Sequence, residues 1–258
     1  MLRKAREIQG YKLQATDGKI GKVKEFYFDD ISWTIRYLVA DTGSWLPKRK
    51  VLISPYALGQ IREIVHTYTP EALGPIERKE GLLEINLTKE QIEKSPSIDA
   101  NKPVSIQHEM EYFKYFGWPW YGADIGLGHL GPIVPPPAIA PVSKVERGDP
   151  HLRSTQEVTG YHIQALDTEV GHVDDFYLED RSWIIRYLLI DTKNWLPGRS
   201  VLVSPRWIEK VSWEESKVFV SLSAEAIKKA PSFDPSAPVT REYEEQLHRA
   251  YAQTFYWT

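Results

Sequence analysis

The chain contains one long sequence twice, and this duplication constrains its fold more than any other feature. Residues 10–55 align with residues 160–205 at a constant offset of 150 without a gap, and 26 of the 46 positions are identical. The correspondence resumes at an offset of 135, where residues 82–87 match residues 217–222. The repeated unit is therefore longer than the ~20–50 residues typical of a solenoid repeat. We predict a duplicated domain, whose function must be one that two related modules in one chain can perform.

Composition limits the class of protein. The 258 residues are 42% hydrophobic and 26% charged, which is typical of a globular chain long enough for two domains. A net charge of -3 counts against a protein that mainly binds nucleic-acid phosphates. The absence of cysteine excludes disulfides, zinc thiolate sites, iron–sulfur clusters and cysteine nucleophiles. No secretory signal or membrane helix is evident, so we predict a cytoplasmic, soluble protein.

The repeated stretch has the pattern of short β-strands separated by turns. In the first copy, apolar and polar side chains alternate over residues 11–15, and Asp17 followed by Gly18 indicates a tight turn. Aromatic and β-branched residues dominate residues 33–42, which is typical of a strand. The matching stretches 82–87 and 217–222 are predicted to be one further strand in each copy.

Short helices are predicted to follow these strands. Thr88 and Gln91 have the spacing of a capping box, and Ser223 can cap the equivalent helix in the second copy. Both helices are expected to stop before a proline. Glu109 and Glu244 recur in register in what we predict to be a terminal helical segment of each copy.

The copies differ most in one insertion. Between Pro55 and Leu87 there are 31 residues, whereas between Pro205 and Leu222 there are 16, a difference of 15. The extra residues lie around residues 65–79, and loops absorb such insertions at little cost in stability. We predict a longer hairpin or a surface excursion.

We divide the chain into three parts. Residues 1–112 form the first domain, residues 113–150 an aromatic, proline- and glycine-rich linker, and residues 151–258 the second domain with an aromatic tail. The linker lacks helical or strand periodicity, so we predict an extended segment that is partly polyproline II.

The order of motifs within each copy resembles that of the PRC-barrel family, which includes the cytoplasmic barrel of the photosynthetic reaction-centre H subunit. The motifs that carry the resemblance in the first copy are Gly10–Tyr11, Asp17–Val23, Phe26–Asp30, Ile35–Val39 and Val51–Pro55. The resemblance covers roughly residues 10–96 and 160–231. It implies a mainly β protein of two small PRC-type β-barrels in tandem, each with a short C-terminal helix. It also implies an assembly or adaptor module and no catalytic residue.

Motifs that carry chemistry are few. Gly126–Gly131 matches the G-x-G-x-x-G string, but prolines follow it where a dinucleotide fold requires a helix, so we interpret it as linker. The acidic pairs Asp29–Asp30, Asp174–Asp175 and Glu179–Asp180 are interpreted as solvated turns and strand ends. No position holds histidine in both copies. We therefore predict no catalytic residue, no cofactor, no metal site and no enzymatic activity.

One charged pair is duplicated on the third strand. Arg36 with Asp41 in the first copy corresponds to Arg186 with Asp191 in the second. Such charges either bridge to neighbouring strands or point outward to a partner. We favour a structural cross-strand role.

Aromatic side chains are the candidates for interaction. Trp45 and Trp195 lie in duplicated Trp-Leu-Pro loops, where they either cover the end of a barrel or anchor a partner. The two aromatic tails are expected to dock within the chain or on another chain, because so much apolar surface is costly to expose. The tail candidates are Trp118, Trp120, Tyr121, Tyr256 and Trp257.

These observations predict a non-enzymatic structural or adaptor protein that mediates protein–protein association, with further copies of itself among its partners. The alternative is a β-barrel that binds a small ligand or RNA, for which Tyr27, Tyr37, Tyr177 and Tyr187 would form a stacking face or belong to the core. The acidic pI of about 6.2 counts against nucleic acid. Peripheral membrane association stays open.

Overall fold

The computed structural model describes residues 1–47, 49–68, 76–99, 103–119, 149–192, 195–196 and 198–257. These residues form a mainly β protein, as the sequence predicts, and its strands lie in two curled sheets, one of eight strands and one of seven. Trp120, Tyr121 and the string Gly126–Gly131 lie outside the described residues.

The first repeat contributes the N-terminal strands and three helices. Its elements are β1 (Leu2–Lys4), α1 (Ala5–Ile8), β2 (Lys12–Ala15), β3 (Gly18–Asp29), β4 (Ile35–Asp41), β5 (Arg49–Ile53), β6 (Leu58–Tyr68), β7 (Ile76–Ile85), α2 (Lys89–Lys94), β8 (Ile98–Asp99) and α3 (Ile106–Phe116).

The second repeat has the same order of elements without the equivalent of β8. Its elements are β9 (Leu152–Ser154), α4 (Thr155–Val158), β10 (His162–Gln164), β11 (Glu169–Glu179), β12 (Ile185–Asp191), β13 (Ser200–Val203), β14 (Ile208–Ser212), β15 (Lys217–Val220), α5 (Ala224–Lys229) and α6 (Arg241–Ala250).

Local signals place the short helices as predicted. Thr88 and Gln91 form a reciprocal capping box at the start of α2, with the Gln91 N–H donating to Thr88 Oγ1 at 3.1 Å. In the second repeat, Ser223 Oγ accepts from the Ala226 N–H at 3.1 Å. These contacts satisfy backbone donors that a helix N-terminus otherwise leaves unpaired.

The insertion of the first repeat lengthens a β-hairpin, which confirms the prediction. Strands β6 and β7 pair as far as Tyr68 and Ile76, but β7 pairs with β2 only over Leu82–Ile85. The outer part of the hairpin is thus a two-stranded ribbon. Ile64 and Val65 on its outer strand are 40% and 50% exposed.

The two repeats exchange their N-terminal strands. Strand β1 of the first repeat pairs with β11 of the second, with Leu2 opposite Glu179. Strand β9 of the second repeat pairs with β3 of the first, with Leu152 opposite Asp29. Both pairs obey the sequence offset of 150, so the exchange is reciprocal.

A pseudo-two-fold axis relates the repeats. The Ile35 N–H donates to the Trp183 carbonyl and the Ile185 N–H to the Trp33 carbonyl, both at 2.8 Å. Trp33 and Trp183 both have the left-handed backbone conformation, with φ of 55° and 57°. This conformation is strained for a bulky residue, and burial of both rings together with the backbone bonds holds it.

The hydrophobic core continues through the junction. One cluster of buried side chains contains residues of both repeats, and Phe28 meets Phe176 across the axis with ring centroids 5.9 Å apart. A smaller cluster lies between α3 and the outer face of β4 and β5, with Tyr37, Leu52 and Tyr112 buried in it. The repeats therefore form one packed unit.

Candidate functional site

Two related clefts, each of about 440 Å³, lie at the junction of the repeats. Each is formed by the turn after β3 or β11 in one repeat and by the segment entering β14 or β6 in the other. The cleft that we call the Arg186 cleft is lined by residues that include Asp30, Trp33, Arg186, Arg206, Lys210 and Tyr256. The cleft that we call the Arg181 cleft is lined by Pro55, Leu58, Gly59, Gln60, Ile61, Asp180, Arg181 and Trp183.

Both clefts lie beside the last strand of a sheet. Strand β14 ends the order of the second-repeat sheet, and β6 ends that of the first. A terminal strand presents backbone N–H and C=O groups on its open side. Such an edge can bind an extended peptide as one more strand.

The exchanged strands fix one wall of each cleft. Asp30 accepts from Arg153 Nε at 3.0 Å, and its own N–H donates to the carbonyl of His151 at 2.9 Å. Asp180 is held in the same way, by Arg3 Nε at 3.3 Å. Both aspartates are thus engaged by the strand that the other repeat donates.

A buried arginine organises the polar centre of the first repeat. The Arg36 guanidinium donates to Asp149 Oδ2 at 2.7 Å, to Glu109 Oε2 at 2.5 Å and to Asp29 Oδ2 at 3.4 Å. All four side chains are at most 5% exposed. This Arg36 site connects the end of β3, the helix α3 and the residue that precedes the second repeat.

Arg36 has the structural cross-strand role that we favour, because it contacts Asp29 on the neighbouring strand β3. Asp41 accepts from the Gly43 N–H at 3.0 Å. Arg36 and Asp41 are five positions apart on β4, and an odd separation along a strand places side chains on opposite faces. The same reason applies in the second repeat, where Arg186 pairs with Glu179 rather than with Asp191.

The Arg36 site holds three carboxyl groups around one cation. Burial raises the pKa of Glu109 to about 8, because desolvation together with the neighbouring Asp149 outweighs the opposite effect of Arg36. The 2.5 Å contact with Arg36 alone would favour an ionised Glu109. Because three carboxyl groups face one guanidinium in a buried site, ionisation of all three together is disfavoured.

The equivalent arginine of the second repeat has different neighbours. Both Nε and Nη2 of Arg186 donate to Glu179 Oε2, at 3.2 and 2.5 Å. Its guanidinium lies over the Tyr256 ring, 4.4 Å from the centroid. Tyr256 in turn donates its hydroxyl to Glu244 at 2.6 Å. The C-terminal tail thus separates Arg186 from Glu244, the glutamate that corresponds to Glu109.

A buried histidine completes this second-repeat network. His248 Nδ1 lies 2.8 Å from the Thr254 carbonyl, to which it must donate, and burial lowers the pKa of His248. The neutral ring therefore carries its proton on Nδ1. The Tyr187 hydroxyl lies 3.0 Å from both His248 Nε2 and Glu244 Oε1. The network fixes α6 and the tail on the sheet.

The predicted interaction residues that the structure describes are all half-buried. Lys89 Nζ lies 5.0 Å above the Trp45 ring, and Trp195 packs against the core. Trp118 stacks on Phe116 with centroids 4.5 Å apart. In the second tail, Arg241 lies 4.0 Å from the Trp257 ring. The described parts of both tails therefore pack on their own repeats, and their binding to a partner stays a prediction.

Sequence reasoning misassigned two acidic residues. Asp29 and Asp175 are 1% and 4% exposed, so they are not solvated turn residues. Tyr37 and Tyr187 are fully buried, which removes them from any stacking face for RNA. Trp33 and Trp183, which form the junction, were identical in both copies directly after an Asp-x-Ser turn, and that identity was the available signal.

Neither a scan against protein-family models nor a search of the curated proteins finds a match to the chain. Within the described ranges, no group of three or more histidine, aspartate or glutamate side chains is arranged to hold a metal ion. No helix in the described part of the chain is long and apolar enough to span a membrane.

Proposed function

We propose that the protein is a non-enzymatic adaptor, in which two PRC-type barrels, each with a C-terminal helix, are joined into one unit that binds partner proteins. The observation that carries this proposal is the pair of related clefts, each beside the open edge of a terminal strand. A duplicated cleft suits a protein that holds two segments of its partners in a fixed relation. The motif order in each repeat supports the choice of the PRC-type barrel.

Site-specific photo-crosslinking tests the proposal. A photoreactive residue at Ile31, which is 58% exposed and lines the Arg186 cleft, is expected to crosslink to a defined protein in an extract of the source cells. The same residue at Leu166, which is 64% exposed and outside both clefts, is the matched control. Labelling from Ile31 that is no stronger or more selective than from Leu166 would count against a partner site in the cleft.

Further copies of the chain are proposed as partners through the β6–β7 ribbon. Its outer strand is long and carries the exposed Ile64 and Val65, features that favour edge-to-edge pairing. Light scattering over a range of concentrations is expected to show association that Val65→Lys abolishes. A monomer at all concentrations, with no effect of Val65→Lys, would remove self-association from the proposal.

A small-ligand site is the second candidate. The volume of about 440 Å³ for each cleft falls within the ~300–1,000 Å³ of known ligand pockets. Native mass spectrometry of the purified protein distinguishes this candidate, since a bound small molecule adds a defined mass that unfolding removes.

A further inference from the structure

We propose that the Arg186 cleft binds an extended acidic segment of a partner protein, with a carboxylate of that segment on Arg186 as Asp149 lies on Arg36. This inference rests on the proposed adaptor function and specifies the chemistry of one partner. It concerns only one of the two clefts, because the positions that carry the charge differ between them.

The first repeat provides the internal template. Asp149 places its carboxylate 2.7 Å from Arg36 Nη1, and its backbone N–H donates to the Val104 carbonyl at 2.7 Å. Three residues later the same segment is strand β9, paired with β3. The arginine of β4 thus binds an acid that a turn joins to a strand added to the sheet.

The second repeat keeps the arginine but, among the described residues, pairs it with fewer acids. Glu179 is the one carboxylate that contacts Arg186 within the described ranges. The Tyr256 ring lies between Arg186 and Glu244 and keeps them apart. The Arg186 side chain is 20% exposed, compared with 5% for Arg36, and it lines the cleft. An incoming carboxylate can therefore reach its guanidinium.

The side of the Arg186 cleft formed by β14 and the segment entering it has the positive charge that an acidic segment requires. Arg206 and Lys210 are exposed and line the Arg186 cleft, with Glu209 beside them. Asp30 is already engaged by Arg153. At the positions equivalent to Arg206 and Lys210, the first repeat has the uncharged Tyr56 and Gln60. The positive charges at these two positions are therefore specific to the Arg186 cleft.

The edge of the terminal strand β14 would supply main-chain hydrogen bonds to the bound segment. The lining of the Arg186 cleft includes Ile208–Val211, which are four of the five residues of β14. Main-chain bonds to this edge would hold the peptide extended, and the basic side chains would select one that carries an acid.

Fluorescence anisotropy with two labelled peptides tests the inference. Both are octapeptides of alternating threonine and valine, one with aspartate and the other with asparagine at the fourth position. We expect the full-length protein to bind the aspartate peptide about tenfold more tightly. Arg186→Gln is expected to abolish the difference, whereas Arg181→Gln, in the other cleft, leaves it unchanged.

Equal affinity for both peptides, binding of neither, or a preference that survives Arg186→Gln would overturn the inference. The proposed function fails separately. If the cleft crosslinks to a protein but shows no preference for the aspartate peptide, the adaptor role stands and the acidic specificity falls. If the aspartate peptide binds through Arg186 but the cleft crosslinks to nothing, the site exists and the adaptor role falls.

Discussion

Arg36 and Arg186 occupy equivalent positions in the two repeats. Arg36 is buried, whereas Arg186 is partly exposed and lines a cleft. Arg36 contacts three carboxylates, whereas Arg186 contacts Glu179 and the face of Tyr256. The strands that carry them, β4 and β12, are nearly identical in sequence. The difference therefore comes from the segments that pack on the strand.

Those segments are the parts of the repeats that have diverged. Asp149, directly before the second repeat, completes the Arg36 site. Tyr256, in the C-terminal tail, occupies the space between Arg186 and Glu244. The duplicated strand therefore keeps an arginine at one position, and the segments that pack on the strand decide how many carboxyl groups of the same chain contact it.

Removing each arginine gives the largest expected contrast. Arg36→Met leaves Asp29, Glu109 and Asp149 buried without their cation and is expected to cost about 3–5 kcal/mol of unfolding free energy. Arg186→Met acts on a partly exposed pair and is expected to cost about 1 kcal/mol or less. Guanidinium unfolding of both variants measures the difference. Similar losses of unfolding free energy in Arg36→Met and Arg186→Met would contradict the difference between the two sites.

The pH dependence of the unfolding free energy further distinguishes the Arg36 site from the Arg186 site. A carboxyl whose pKa is raised on folding contributes stability that is complete below its unfolded value of about 4.5 and is lost as pH rises through its folded value of about 8. We expect the unfolding free energy to fall between pH 5 and about 8, and Glu109→Gln to flatten this part of the profile. Glu111→Gln, an exposed change on the same helix, is the control. An unchanged slope in Glu109→Gln would refute the assignment.

Asp149 is expected to contribute less to the unfolding free energy than Arg36 does. Asp149→Asn keeps the shape of the side chain but removes a negative charge that raises the pKa of Glu109. The pH midpoint of the Glu109 transition should therefore move down, with about 1–2 kcal/mol of stability lost through the weaker bond to Arg36. Thermal unfolding at several pH values measures both. An upward shift of the midpoint is incompatible with the proposed charge balance.

The smallest expected effect is at the tail. Tyr256→Phe keeps the ring under Arg186 and removes only the hydroxyl that donates to Glu244. We expect a loss of about 0.5–1.5 kcal/mol of unfolding free energy. Trp257→Phe, which keeps an aromatic ring near Arg241, is the matched change. A loss several times larger would mean that the tail does more than separate Arg186 from Glu244.

The sequence predicted what depends on local patterns. Alternation, turn residues and the capping box at Thr88 identified strands and helices, and the constant offset identified two equivalent units. The lengthened hairpin followed from the gap between the copies. These features depend on residues close together in the sequence. They can therefore be predicted without knowing how the two repeats pack against each other.

Features that depend on contacts between distant segments were not predicted. Strands β1 and β9 have three residues each, too few to show a period, so their exchange left no trace in the pattern. Asp149 meets Arg36 across 113 positions of sequence. The partners of Arg36 could not be named from the sequence, because spacing along a strand determines only the face on which a side chain lies.

The central claim is that the two repeats form one unit through exchanged strands, and cutting the chain between them tests it most directly. Residues 126–131 are replaced by a protease recognition sequence, and complete cleavage is verified under denaturing conditions. Size-exclusion chromatography with light scattering should then show, under native conditions, one particle with the mass of the intact chain, 29.7 kDa. Two separate fragments, each folded and of about half that mass, would contradict the account.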